Sequence, residues 1–130
     1  MKTVYINVLL WLWSLVALCA AAAHIVMPAW TAAGTNWLSS THWQREIGYF
    51  DIVLAGIFSW TARQSDLSIK RGAALVLCGL SLALGEGHLE GWLQDAKTFH
   101  VLFTVGNGLA ALWSGLAFLS LSENQKGKRS

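Results

Sequence analysis

Charged residues, proline and cysteine are all scarce in this chain of 130 residues. Only 12% of the residues are charged and 55% are hydrophobic, a balance that excludes a disordered protein. The net charge of +2 is too small to attract nucleic acid, so no nucleic-acid partner is expected. The two cysteines, Cys19 and Cys78, have neither CxxC nor zinc-ligand spacing, so they indicate neither a redox motif nor a structural zinc site.

In place of charge, the chain has four long apolar runs, at about residues 4–24, 46–62, 72–92 and 99–121. A helix that crosses a bilayer needs about 20 mostly apolar residues, so four such helices leave no room for a separate soluble domain. Short connections place consecutive helices antiparallel. The sequence therefore predicts a single transmembrane domain over residues 1–130. Its fold class is all-α, a polytopic membrane protein built as an antiparallel four-helix transmembrane bundle in the lipid bilayer.

A secretory signal is the alternative interpretation of the first run, because the small residues Ala20 to Ala23 follow its apolar stretch. That stretch is longer than the usual signal core of about 7–15 residues. An uncleaved first span is therefore favoured.

The connections and the basic residues predict the topology. Residues 27–45 contain the only proline, Pro28, and are rich in tryptophan, which favours an interfacial loop or a short helix. Most of the nine basic residues fall on one side of a four-span arrangement, namely Lys2, Arg63, Lys70, Arg71, Lys126, Lys128 and Arg129. Because basic residues stay on the cytoplasmic side, we expect both termini and the basic tail at 122–130 to be cytoplasmic.

With that topology, all four histidines and most of the acidic residues fall in or beyond the outer half of the bilayer. A helix rises about 1.5 Å per residue, which gives each polar residue a depth. A lower layer, about 4–6 Å above the midplane, contains Asp51, Glu86 and Asn107. An upper layer, at about 9–15 Å, contains Glu46, His88, Glu90 and Thr104, with His100 and His24 near the interface.

Asp51 and Glu86 need a physical explanation, because an ionised carboxylate in hydrocarbon costs several kcal/mol unless it is paired, hydrated or protonated. They indicate either hydrogen bonds between helices, with Asn107 and Tyr49 as partners, or a site for a proton, a cation or a polar ligand. Two carboxyl groups at one depth favour the site, and we expect them to face each other and share a proton. The predicted function is ligand binding, proton binding or assistance to transport in an outward-facing polar cleft.

No motif in the sequence assigns a reaction, and a binding role is favoured over an enzymatic one. The alternative is a membrane-embedded enzyme, or a haem or metal redox subunit, that uses His88, His100, Glu46 and Glu90. A plain scaffold subunit is a third possibility.

A metal site in the stretch GEGHLEG meets a geometric objection. On an ideal helix Glu86 and Glu90 share one face, whereas His88 points about 160–200° away, so one metal ion cannot readily take all three. Glycines within the stretch would relax this objection by unwinding the helix. No cofactor is therefore predicted, and a haem or a divalent metal remains the alternative, with candidate ligands His24, His88, His100 and Glu90.

Two further patterns bear on partners. Trp11, Trp13 and Trp113 lie deep in the predicted spans, where they either fill the core or line a lipid-like ligand such as a quinone or a sterol. Small residues recur at four-residue steps in the last span, at Gly106, Ala110 and Ser114, which favours a homo-oligomer.

Two short motifs carry a family resemblance. RExG at Arg45, Glu46 and Gly48 opens the second span, and GxGH at Gly85, Gly87 and His88 closes the third. Together they resemble an uncharacterised group of small four-helix bacterial membrane proteins, and the outline is similar to the DoxX-like proteins. This resemblance implies a multi-pass protein of the bacterial inner membrane and no particular activity. The size also resembles small multidrug exporters, but those carry an essential glutamate midway in the first span, where this chain has Ser14, Leu15 and Val16.

Overall fold

The computed structural model describes residues 2–36 and 40–126. Within these ranges the chain forms five helices and no strand. They are α1 (Lys2–Val26), α2 (Pro28–Ala33), α3 (Thr41–Arg63), α4 (Leu67–Gln94) and α5 (Thr98–Lys126). The all-α prediction is confirmed.

Three of these helices are long and apolar enough to cross a membrane: Thr3–Val26 within α1, Leu67–Gln94, and Thr98–Leu121 within α5. The remaining long helix, α3, has 23 residues and a length of about 35 Å, but its first half carries Arg45, Glu46 and Asp51. The chain therefore has the helices of a multi-pass membrane protein, and α3 is the least apolar of the four long ones.

The residues predicted as the interfacial loop, 27–45, are largely helical. Pro28 opens α2, where its missing N–H costs nothing because the first helical N–H groups lack partners in any case. Ser40 begins α3 early, since its hydroxyl accepts a hydrogen bond from the backbone N–H of Trp43 at 3.2 Å. Of the two structures predicted for residues 27–45, a helix is therefore found at Pro28–Ala33, residues 41–45 belong to α3, and Trp37 lies outside the described residues.

The turn between α3 and α4 is also tighter than the sequence suggests. Asp66 caps α4 by accepting a 2.7 Å hydrogen bond from the backbone N–H of Ser68, and this bond lowers the pKa of Asp66 below its usual value. At the other end of the chain, α5 continues to Lys126, so the first part of the predicted tail at 122–130 extends the last helix. The rest of the tail lies outside the described residues.

The four long helices pack as two hairpins. α1 lies along α3, and α4 lies along α5, with much less contact between the two pairs. In the first hairpin the hydroxyl of Ser14 donates to the backbone oxygen of Ala55 at 3.0 Å and lies 2.6 Å from the hydroxyl of Ser59. In the second, the thiol of Cys78 donates to the backbone oxygen of Ala111 at 3.4 Å. Polar bonds in mid-helix thus hold each hairpin together.

The two hairpins meet in the half of the bundle that contains the α3–α4 turn, here called the inner end. All four long helices contribute to one apolar core there, which consists of Ile6, Leu9, Leu10, Phe58, Ala62, Ala74, Leu77, Ala117 and Leu121. The opposite end, where α1 and α4 finish, is called the outer end. Burial of apolar surface therefore joins the hairpins mainly at the inner end.

Lys70 adds a polar connection at the same place. Its residue is 2% exposed, and its ammonium donates to Asn7 of α1 at 2.5 Å and to the backbone oxygen of Ala62 of α3 at 3.1 Å. Ala62 lies in the last turn of α3, where carbonyl groups have no partner within the helix and a cation is favourable. The sequence predicted Lys70 only as a cytoplasmic surface charge, whereas it is a buried bond between the two hairpins.

Replacement of Lys70 by methionine tests this connection. The methionine keeps the apolar stem but leaves the oxygen atoms of Asn7 and Ala62 without their donor, so we expect a loss of about 1–3 kcal/mol in the free energy of unfolding. Chemical unfolding of the detergent-solubilised protein measures it. Lys97→Met removes an exposed cation that lies 3.8 Å from Asp95 and serves as the control. Equal stability of the two variants would contradict the role given to Lys70.

Candidate functional site

Histidine and amide side chains gather at the outer end in two clusters, one for each hairpin. The first consists of His24, Thr31, Gln44 and Asp51, and the second of Asn36, His88 and His100. The segment from α2 to Asn36 runs between them. Neither cluster contains a carboxylate from α4.

The first cluster is organised by Gln44, which is 5% exposed. Its side-chain oxygen lies 2.5 Å from Nδ1 of His24 and 2.9 Å from the hydroxyl of Thr31. Because an amide oxygen only accepts hydrogen bonds, Nδ1 of His24 carries the hydrogen and Nε2 carries the lone pair of the ring. The ring of His24 is thereby fixed in one tautomer.

Asp51 and Gln44 lie on the same face of α3. The two residues and Gly48 between them recur at four- and three-residue steps, which places them on one helix face. Gly48 allows close contact with α1, since an added Cβ would lie 2.6 Å from a side-chain carbon of Ile25. Asp51 is half-buried on this face and lies within electrostatic range of His24. The hairpin thus brings together a carboxyl group and an imidazole.

The second cluster is built around His100, which is 0% exposed. Its Nε2 lies 2.6 Å from the side-chain oxygen of Asn36 and 3.2 Å from the backbone nitrogen of the same residue. Its Nδ1 lies 3.3 Å from Nδ1 of His88. The ring therefore connects α5 to α4 on one side and to the α2–α3 connection on the other.

Two glycines make room for aromatic rings in this region. A Cβ at Gly91 would lie 2.4 Å from Cε1 of His100, and a Cβ at Gly34 would lie 2.0 Å from Cδ2 of Phe99. The backbone N–H of Phe99 also donates to the oxygen of Gly34 at 3.3 Å. Since a real Cβ could not be accommodated at either place without a shift, these glycines fix how the connection and α5 approach each other.

The predicted lower layer does not come together as one cluster. Asp51 faces α1, whereas Asn107 faces α4, with its Cβ next to Gly85 and its amide donating to the backbone oxygen of Phe103 at 2.9 Å. Glu86 is exposed on α4. Asp51 therefore lies within electrostatic range of His24 and on a different hairpin from Glu86, because α3 and α4 belong to different hairpins.

The predicted upper layer divides in the same way. His88 and His100 come together, and Thr104 donates from its hydroxyl to the backbone oxygen of His100 at 2.7 Å. Glu90 is exposed and accepts a hydrogen bond from Gln94 at 3.1 Å. Glu46 lies 3.1 Å from His42, away from both clusters. Whether any of these residues binds a ligand stays a prediction.

Sequence reasoning missed the neutral partners Thr31, Asn36 and Gln44. The one available signal was the step from Gln44 through Gly48 to Asp51, which marks a polar helix face beside a small residue. No signal could have identified Asn36, because its contact with His100 depends on the path of the connection after α2. Neutral amides carry no charge pattern that would place them at a site.

A ready-made metal centre is not seen in the part of the chain that the structure describes. Among residues 2–36 and 40–126, no group of three or more histidine, cysteine, aspartate or glutamate side chains is arranged to hold a metal ion. The alternative of a haem or metal redox subunit therefore has no three-ligand set of this kind there.

Concave surface is found at the inner end. A groove of about 310 Å³ is lined by Tyr5, Ile6, Trp113, Leu116, Ala117, Ser120 and Leu121. It includes one of the deep tryptophans, and its lining is mostly apolar. This apolar groove suits a lipid-like ligand better than the polar outer end does.

Comparison with known proteins gives no identity. No protein family, no curated protein and no solved structure matches this chain.

Proposed function

We propose that this chain is a four-span membrane protein that binds a proton or a small polar ligand at its outer end. The observation that carries this proposal is that Asp51 of α3 lies half-buried and within electrostatic range of His24 of α1. Ionisable groups within transmembrane segments are costly, and in characterised proteins they mark proton, ion and substrate sites. An accessory role in transport is consistent with such a site.

The pair has the chemistry of a proton site. Gln44 accepts the Nδ1–H of His24, which leaves the lone pair of the ring on Nε2. The carboxyl group of Asp51 lies within electrostatic range of this imidazole. Both residues are half-buried, which leaves them within reach of the outer end.

The membrane crossing of α3 is part of the proposal. α3 runs along α1, and the bonds from Ser14 to Ala55 and Ser59 join the two in mid-helix. Because α1 is long and apolar enough to span, its packing partner is held at the same depth. Arg63, Lys70 and Arg71 lie near the inner end, which supports a cytoplasmic location for that end and for both termini. We likewise propose a location in the bacterial inner membrane and a relationship to the DoxX-like proteins.

Infrared difference spectroscopy between acidic and neutral pH tests the proton site. We expect a carboxyl signal from Asp51 in lipid-reconstituted protein that is lost in Asp51→Asn and displaced in His24→Gln, because each residue senses the other's charge. His42→Gln changes an exposed histidine at the same end and serves as the control. A spectrum identical in the wild type and Asp51→Asn would show that Asp51 does not exchange protons.

Cysteine accessibility tests the topology. In a background without Cys19 and Cys78, Ser65→Cys should react with a membrane-impermeant thiol reagent only from the cytoplasm, and Ala33→Cys, at an exposed position, only from outside. The expectation follows from the antiparallel helices and the basic residues at the inner end. Labelling of both positions from one side would exclude a membrane crossing by α3.

A homo-oligomer is a second proposal, favoured by an unusual face of α4. The faces of α1, α3 and α5 that point away from the bundle carry large apolar side chains, as at Leu15, Val53 and Leu109. α4 exposes large apolar side chains too, such as Val76 and Leu82, but beside them it also exposes a stripe of small and acidic residues, made up of Gly72, Gly79, Ala83, Glu86 and Glu90. Small residues four apart allow close helix approach, and carboxyl groups in lipid favour a protein partner.

The dimer face predicted from the sequence, at Gly106, Ala110 and Ser114 of α5, is mostly covered within the chain. Ala110 and Ser114 are buried, and the hydroxyl of Ser114 donates to the backbone oxygen of Ala110 at 2.6 Å. Gly106 has open space around it, but its two companions are covered within the chain. A dimer face formed by these three residues was therefore a wrong prediction, and α4 replaces it as the candidate surface.

Leucine substitution distinguishes the two faces. Gly79→Leu should lower the dimer fraction at least tenfold, because the side chain fills the space that a second α4 would occupy. Sedimentation in detergent measures the fraction. Gly108→Leu is the matched control, since Gly108 is exposed on α5 and, like Gly79, has no atom within 4 Å of an added Cβ. A wild-type protein that sediments as a monomer would contradict the oligomer.

A further inference from the structure

Arg63, an exposed arginine at the inner end, has its charged group over an aromatic ring. It is the last residue of α3, and its guanidinium carbon lies 5.2 Å from the centre of the Trp11 ring on α1. This is within the distance of about 6 Å at which a cation is attracted to a ring face. Among the side chains that the structure describes, no carboxylate lies within ion-pair distance of Arg63, and the acid nearest to it along the chain, Asp66, caps α4. These side chains therefore supply no acid to neutralise Arg63.

The other two basic residues of the same region are placed differently. Lys70 is buried between the hairpins. Arg71 is half-buried beside α5, with its guanidinium carbon 4.6 Å from the centre of the Phe118 ring. Among residues 60–72, Arg63 is therefore the basic residue whose side chain is exposed to the surroundings of the protein.

Exposed tryptophans mark the level at which α3 ends. Trp11 is 44% exposed and Trp60 is 55% exposed, so both present a large aromatic surface outside the α1–α3 hairpin. Lys70 hydrogen bonds to both Asn7 and Ala62, which places the first turns of α1 level with the last turn of α3. Trp11 then lies about 6 Å nearer to the middle of the bundle than Asn7. Tryptophans exposed near the ends of membrane-spanning helices form the aromatic belt at the level of the lipid headgroups.

Phosphate is the anion that lipids supply at this level. The guanidinium of arginine is a planar fork of N–H donors, which binds a phosphate through two parallel hydrogen bonds. Trp60 is three residues before Arg63 on the same face of α3, where its ring offers apolar contact to the rest of a lipid. Residues 60–72 contain three basic residues and one acid, so the charge at this end favours a headgroup with a net negative charge.

We propose that Arg63 binds the phosphate of an anionic phospholipid, with Trp11 and Trp60 against the glycerol and acyl chains of that lipid. The occupant is a lipid and not a free anion, because the two tryptophans add apolar contact that an inorganic ion cannot use. The proposal goes beyond the proposed function and rests on it only for the membrane crossing of α3. Its residues are different from Asp51 and His24.

Mass spectrometry of the intact, detergent-solubilised chain measures how much lipid stays bound. The probes are phosphatidylglycerol and phosphatidylcholine with identical acyl chains. We expect the wild type to bind phosphatidylglycerol about fivefold more tightly, the ratio that corresponds to about 1 kcal/mol for one basic residue near an anionic surface. Arg63→Gln should bind the two lipids about equally. Arg45→Gln removes an exposed arginine from the other end of α3 and should keep the preference of the wild type.

A change at Trp11 tests how the charge is held while Arg63 stays in place. Trp11→Leu removes the ring beside the guanidinium and should weaken phosphatidylglycerol binding about two- to fivefold, the effect expected for an exposed cation–π contact. Trp43→Leu changes an exposed tryptophan at the outer end and is the matched control. Inorganic phosphate, added as a competitor without acyl chains, should leave the lipid bound.

Three results would overturn the proposal. They are equal affinity of the folded wild type for the two lipids, an unchanged preference in folded Arg63→Gln, and displacement of the lipid by inorganic phosphate, which would indicate a site for free anions. Circular dichroism and thermal melting establish that each variant is folded, and Trp11→Leu provides the test if Arg63→Gln does not fold.

The infrared signal of Asp51 decides the proton site separately. If the lipid preference is found and that signal is absent, only the proton site fails. If the signal responds to His24→Gln while the wild type binds the two lipids equally, only the lipid site fails.

Discussion

The buried ammonium group of Lys70 is the interaction on which the arrangement of the two hairpins depends. It reaches from α4 to a side chain of α1 and to the carboxyl end of α3, so one group contacts both helices of the other hairpin. A cation held this way is satisfied only while the hairpins stay together. The apolar core beside it adds non-directional attraction, whereas Lys70 fixes which helix ends meet.

Because the shared apolar core lies at the inner end, the contacts at the outer end are mainly polar. Each hairpin has its own cluster there, and the two clusters are bridged by the short segment around α2 and not by a shared apolar core. Polar groups removed from water must find hydrogen-bond partners, so the buried amide of Gln44 lies beside His24, and the buried ring of His100 lies beside Asn36. The division between an apolar inner end and a polar outer end therefore locates the candidate sites.

This division also explains why the carboxylates separate. Asp51 faces α1 because it shares a helix face with Gly48, where the two backbones come close. The buried side of α4 is occupied by residues such as Leu77 and Ser81, which leaves Glu86 and Glu90 on the opposite face. Glu90 on that outward face accepts a hydrogen bond from Gln94 of its own helix, whereas Asp51 lies within electrostatic range of a residue of the neighbouring helix, His24.

Much of the fold was available from the sequence, because apolar length is a local property. Runs of about 20 apolar residues specify long helices, and the single proline falls between two of them. Helix ends were less predictable: Ser40 and Asp66 start helices earlier than the apolar runs indicate, since a cap acts through one hydrogen bond and not through hydrophobicity.

The sequence by itself determined the number of long helices, their order and the position of each polar residue along its helix, because helical rise converts residue number into distance along the axis. Only the tertiary structure decided which residues meet across helices. Packing sets the rotation of each helix and its choice of neighbour, and many apolar faces would fit one another about equally well. Asp51 therefore lies within electrostatic range of His24, and His88 contacts His100, because of how the two hairpins pack and not because of where these residues lie along their helices.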